Sequence, residues 1–349
     1  MTIKNNNNSN GNTRQGSPTA SHHLHRQNPT TMHPALSVIF FTTLSGAGYG
    51  LLAWLGVSLA LLSLRGQVQP TLAGVQLAAL LLGLALSTIG LLASLAHLGK
   101  PLRAWRAFSQ WRTSWLSREG VLAIATLLPA LVVGALLWWG EPGPTLAALL
   151  AVSGIVLALC ALATVACTAM IYASLKPIPA WRHPLVLPVY LLFALLTGLA
   201  LLFALMLAML GSQGTGTMLL TLAIVAALLV ALKWLYWHDT DRIGLPGTRA
   251  AAIGLPAREA TVFERPHTEA NYVTREMAFQ VARRHARWLR VGASALLLGG
   301  PLLAWLLLAA GIGGPAFALA AAALVVLAGA FIERWLFFAQ ARHVVSLYY

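Results

Sequence analysis

Eight long apolar runs, at about 35–64, 72–96, 119–139, 146–173, 185–210, 216–236, 288–311 and 315–338, decide what this chain can fold into. Each is long enough to cross a bilayer, since about 20 apolar residues rising ~1.5 Å apiece span the hydrocarbon core. In lipid every backbone N–H and C=O must be satisfied inside a helix or a closed barrel, and barrel strands would alternate apolar with polar residues. These runs do not alternate. The expectation is an all-α polytopic membrane protein, a bundle of eight transmembrane helices at 35–349, preceded by a polar tail at 1–34. A hydrophobic content of 58% with only 9% charged residues fits one such domain and not two soluble ones.

An even number of spans puts both termini on one face, together with the loops after the second, fourth and sixth helices. That face collects the positive charge. Of the 23 Lys and Arg residues, only Arg65 falls on the other side. The tail carries Lys4, Arg14 and Arg26, and the second loop Lys100, Arg103, Arg106, Arg112 and Arg118. The fourth loop carries Lys176 and Arg182. Lys233 leads into the sixth loop, which is dense in arginine between Arg242 and Arg290. Positive short loops stay in the cytoplasm, so a multi-pass protein of the inner (cytoplasmic) membrane with cytoplasmic termini is expected. The net charge of +14 is therefore a property of one face, suited to anionic headgroups of the lipid bilayer and to an acidic partner protein. No nucleic-acid partner is expected, because no reading helix or stacking motif is present and juxtamembrane arginine already has a topological cause.

The tail is rich in Asn, Ser, Thr and His and is expected to be disordered. His22, His23 and His25 are read as solvated residues of a low-complexity segment and not as a metal site. The first apolar run has no A-x-A-like cleavage site after it and is read as a retained helix. Cys160 and Cys167, seven residues apart in the fourth span, are read as small packing residues. Two thiols cannot supply the four ligands of an iron–sulfur cluster or structural zinc. A membrane haem would need two His deep in facing helices, and none of the ten His lies mid-span. No haem, cluster or metal is expected in this chain, so electrons would leave through another subunit.

The densest chemistry lies between the second and third spans, in HLGKPLRAWRAFSQWRTSWLSREG from His97 to Gly120. Trp105, Phe108, Trp111 and Trp115, interleaved with Arg103, Arg106 and Arg112, suit a short interfacial helix with rings toward acyl chains and guanidinium groups toward water. Ser117 is placed as the cap of the third span, with Glu119 in its first turn. Two readings of Glu119 stand. One is a surface acid complementing the positive helix end. The other is a functional carboxylate at membrane depth, where ionisable groups mark proton or substrate paths. With His97 at the same level, acid and imidazole could flank a small cleft between the second and third spans and take the protons of an oxidised quinol. Glu333, beside Arg334 near the end of the eighth span, is read as an internal ion pair. Gly46, Gly48, Gly50, Gly83 and Gly90 are read as close-packing positions.

Three stretches carry a family resemblance: MHPALSVIFFTTLSGAGYGLL at Met32 to Leu52, SLAHLGKPLRAWRAF at Ser94 to Phe108, and LSREG at Leu116 to Gly120. With the eight-helix layout and Arg334 followed by Phe337 and Phe338, they resemble the DmsC family, membrane-anchor subunits of dimethyl sulfoxide reductase and related molybdoenzymes. The likeness leaves out the tail and the long sixth loop. It implies an anchor without haem that binds menaquinol and oxidises it in anaerobic electron transport. Electrons would pass to a four-cluster ferredoxin-like iron–sulfur subunit and on to a molybdopterin catalytic subunit. Family roles near the quinol carry to His97 and Glu119, and to Arg103. Founding members hold their catalytic subunits in the periplasm, whereas the charge pattern here turns the corresponding loops to the cytoplasm. The sixth loop, 238–287, amphipathic from Thr274 to Arg290, is read as a clamp on the iron–sulfur subunit or as a membrane-surface helix. Two alternative functions stand beside this one: the same anchor reducing quinone with electrons from a dehydrogenase, and a small-solute transporter. The latter would show broken helices and mid-membrane polar groups, which are not clear in the sequence.

Overall fold

A computed structural model describes residues 34–66, 70–95, 101–211, 214–245, 247–254 and 285–347. The polar tail, His97, Lys100 and most of the sixth loop lie outside the described residues. The eight expected spans are α1 (Pro34–Leu64), α2 (Pro70–Leu95), α3 (Trp115–Trp139), α4 (Pro144–Ala173), α5 (Val186–Leu210) and α6 (Thr215–Arg242), followed by α8 (Ala286–Ala309) and α9 (Gly314–Ala339). A four-residue α7 (Arg249–Ala252) stands in the sixth loop. No strand occurs among the described residues.

Small residues let the helices approach, because lipid tails give no hydrophobic drive for helices to associate and packing must supply it. The first span is the axle, flanked by α2, α4 and α5. A Cβ on Gly48 would collide with the backbone of Gly83 and Ser87 in α2, and one on Gly50 with the Ala194 carbonyl in α5. Gly56 and Gly154 bring α1 equally close to α4. Gly90 abuts Ser45. Four of the five glycines expected to pack do so. Gly46 departs, since a Cβ there would meet nothing within 4 Å.

The described parts of the loops after α2, α4 and α6 lie at one end of the bundle, here the basic face. Between α2 and α3 the chain forms a short helix, as expected, of 3-10 type at Pro101–Gln110. Trp105 and Trp111 are exposed, as expected of interfacial rings. Two contacts rivet this segment to α3: Ser117 Oγ donates to the Ala107 carbonyl, and the Phe108 ring covers Gly120.

A buried carboxylate facing a threonine

The third span starts one turn earlier than expected. Ser114, in extended conformation, is its N-cap and accepts from the Ser117 amide at 3.4 Å. Ser117 is not the cap. It sits inside the helix with its hydroxyl spent on Ala107, so Glu119 is the fifth residue of α3 and no acid occupies the first turn. Five residues in, the side chain has advanced about 6 Å along the axis. It is only 3% exposed. The surface-acid reading does not survive this position.

The Glu119 side chain turns toward α4, where the Thr168 hydroxyl donates to Oε1. Thr168 belongs to a polar ladder inside an otherwise apolar interface, in which Thr126 and Thr164 meet at 3.3 Å. Thr164 also bonds the Cys160 carbonyl at 2.9 Å. Tyr49 of α1 and Tyr172 of α4 lie within reach of the Glu119 charge. Through Thr168 the carboxylate is tied to α4. Arg118 next to it faces outward, stacked on Trp115 at 4.3 Å and donating to the carbonyls of Trp111 and Arg112 at 3.0 and 2.6 Å. Among the described residues no cation pairs with Glu119. Arg103 is exposed on the 3-10 helix. His97 lies outside the described residues, so its approach to Glu119 has no geometry here.

Glu333 has the opposite surroundings. It is 0% exposed, and two cations hold it: Lys233 Nζ at 2.5 Å from Oε1, and Arg334 Nη2 and Nε at 2.7 and 2.8 Å from Oε2. The internal Glu333–Arg334 pair expected from sequence is present. Lys233 corrects the charge map. It does not lead into the loop but is buried in α6, under Tyr236 and Trp237 at 4.0 and 4.8 Å from the ring centres. Aromatic rings close this layer, with Arg334 over Tyr190 at 4.0 Å and Trp181 stacked on Phe337 at 5.6 Å.

Sequence reasoning missed Lys233 and Thr168. A lysine inside the apolar run 216–236, and threonines four apart in α4, were the available signals. Neither says which acid it meets.

The fold and this layer define a polytopic membrane protein with two carboxylates buried at one end, one locked by cations and one that, among the described residues, is held by a hydroxyl and no cation. Residues 30–340 match the family described as DMSO reductase anchor subunit (DmsC), and the chain belongs to that family. It is also similar to the C subunit of sulfite dehydrogenase from Allochromatium vinosum, 36% identical over 335 residues that cover 91% of this chain and 99% of the relative. An anchor subunit implies a multi-subunit enzyme, and this chain is the membrane part of one.

Proposed function

We propose that this chain is the quinone-reactive anchor of a molybdoenzyme complex and that Glu119 exchanges protons with the bound quinone head. One observation carries the reading: of the two carboxylates buried among the described residues, Glu333 has two cations and Glu119 has none from those residues. Two counter-charges fix the state of Glu333. Glu119, uncompensated at a depth where a charge is costly, is the group able to accept or give up a proton as the chemistry demands. Ionisable groups kept in such positions serve proton and substrate paths. In this reading His97 and Arg103 assist at the same site, and menaquinone is the pool. A four-cluster ferredoxin-like subunit docks on the basic face, in the cytoplasm, and links it to a molybdopterin subunit.

The direction of electron flow follows the partner. The relative's name supports electrons entering from a dehydrogenase: quinone takes two electrons from the iron–sulfur subunit and two protons by way of Glu119, leaving as quinol. The family description supports the reverse reading, menaquinol oxidation toward a reductase.

The test is fluorescence quenching of a menaquinol analogue by membranes carrying the assembled complex, wild type against Glu119→Gln. Binding should weaken at least tenfold in the variant with assembly intact, in line with loss of a hydrogen bond to a charged group, about 1.5–3 kcal/mol. Unchanged binding and turnover would remove Glu119 from the site. Quinone reduction driven by sulfite, against quinol oxidation driven by a sulfoxide, then separates the two directions.

A further inference from the structure

Between Glu119 and the cationic cluster lies a cavity of about 20 Å³ that neither the packing nor the quinone reading uses. Its wall includes Thr43 and Gly46 of α1, Thr168 of α4, Tyr190 of α5 and Arg334 of α9. Thr43 Oγ1 in this wall is buried without a protein hydrogen-bond partner, and the Tyr190 hydroxyl and the Arg334 guanidinium beside it are paired with each other and keep spare hydrogen-bonding capacity. Arg334 is 2% exposed, Tyr190 5% and Thr43 7%. A buried hydroxyl without a partner costs about 1–3 kcal/mol, and beside a phenol and a guanidinium with capacity to spare it is better explained by an occupant that all three can bond.

The volume selects that occupant. A water molecule needs about 10–15 Å³ and two to four polar partners, and this cavity offers both. We infer that the cavity is a water-binding site, and that its water is the proton donor and acceptor behind Glu119. This rests on Glu119 being the proton-exchanging group proposed above.

The connection is already half built. Thr168 lines the cavity and donates its hydroxyl proton to Glu119. A water held by Arg334 Nη1 and Thr43 Oγ1 can donate to Thr168 Oγ1 in turn. One hop then moves the threonine proton onto Glu119 and a water proton onto the threonine oxygen, while a proton arriving at the water restores it. Water and Thr168 end unchanged, and Glu119 has gained one proton. Run backward, the same hops empty it. Arg334 keeps its own protons. Its part is to orient the water and to stabilise it while it is short of a proton. Beyond Arg334 the polar layer continues through Glu333 to Lys233, which lies under Tyr236 and Trp237. Those two rings line a recess of about 240 Å³ on the basic face, so the layer reaches from Glu119 to the wall of an opening on that face.

Gly46 makes the site testable. It lines the cavity and a Cβ there meets no atom within 4 Å, so Gly46→Val reaches into the space without displacing backbone. Gly46→Ser adds a hydroxyl, and Thr43→Val removes a water partner at constant shape. With the full complex in lipid, high-resolution electron cryo-microscopy of the wild type should show a water within hydrogen-bond distance of Arg334. In Gly46→Val it should vanish, quinone turnover should fall roughly tenfold or more, the solvent deuterium isotope effect should rise, and analogue binding should hold. Gly46→Ser should stay near wild type and Thr43→Val should fall between. A cavity without density in the wild type overturns the site. Unchanged turnover and isotope effect in both valine variants overturn the relay. If Glu119→Gln binds and turns over normally, the quinone reading fails while the water density still stands, so the two failures are distinguishable.

Discussion

The cluster at Glu333 makes a quantitative prediction that depends on the order of charges, not on the number of contacts. Lys233, Glu333 and Arg334 together carry one net positive charge in a layer where Glu333 is 0% exposed and both cations 2%. Glu333→Gln leaves two cations facing a neutral amide. Lys233→Met leaves the Glu333–Arg334 pair intact with both contacts, at 2.7 and 2.8 Å. At the 2.5 Å separation of Lys233 and Glu333, an effective dielectric constant near 20 gives an attraction of about 7 kcal/mol as a ceiling. Desolvation takes back much of it, and stranding a buried charge costs about 3–5 kcal/mol in practice. Removing Lys233 forfeits a charge-assisted hydrogen bond but also a buried charge, for a net loss of about 1 kcal/mol. Native tryptophan fluorescence of the purified chain in detergent, scanned at one fixed rate because such unfolding is irreversible, should rank the variants. Glu333→Gln should fall roughly 6–10 °C below wild type and Lys233→Met only about 2 °C. Equal losses, or a larger loss for Lys233→Met, would refute the charge argument and leave Lys233 as a packing residue.

Thr168→Val removes a hydroxyl that bonds Glu119 while keeping the shape, and should weaken menaquinol-analogue binding about three- to tenfold without lowering the amount of assembled complex. Gly50→Ala drives a methyl group into the Ala194 carbonyl, so α1 and α5 must part, and folded yield should drop by most of its wild-type value. Gly46→Ala, four residues away with open space, should be neutral or slightly stabilising by size-exclusion thermal challenge, since alanine favours helix over glycine by about 1 kcal/mol. Ser109→Cys, on the exposed 3-10 helix, should resist a membrane-impermeant thiol reagent added to intact cells. Labelling there would invert the cytoplasmic placement of the basic face.

Span number and position were legible because hydrophobic length is read directly from sequence, and every expected run lies within about six residues of a helix at both ends. The ends were less so. Both Ser114 and Ser117 can cap a helix, and the choice fell to Ser114 because Ser117 reaches the Ala107 carbonyl, a contact created by the fold of the 3-10 segment. That single turn moved Glu119 from a helix end to the bundle interior. Glu333 was legible as a pair because its partner follows it in the chain, whereas Lys233 lies 100 residues earlier and Thr168 lies 49 residues from Glu119. Local pattern carries no information on contacts of that range. It carried the residue types, and the bundle decided which acid received the cations.

The same geometry ties the outer surface of the basic face to the interior. Some of its arginines are satisfied within the chain: Arg118 serves two carbonyls, and Arg290 makes a bidentate pair with Asp241 at 2.6 and 2.8 Å. Arg103, Arg106 and Arg112 remain exposed, on the segment that Ser117 and Phe108 fasten to the first turns of α3. An acidic partner drawn to these guanidinium groups would sit against the very turns that hold Glu119. Docking and the carboxylate then share one mechanical element, since moving the 3-10 helix means breaking the Ser117 bond two residues from Glu119 or lifting the Phe108 ring from Gly120, one residue beyond it. If Glu119 has the role proposed above, a partner docked on this face would bear on the site through that element, without a hinge or a lid.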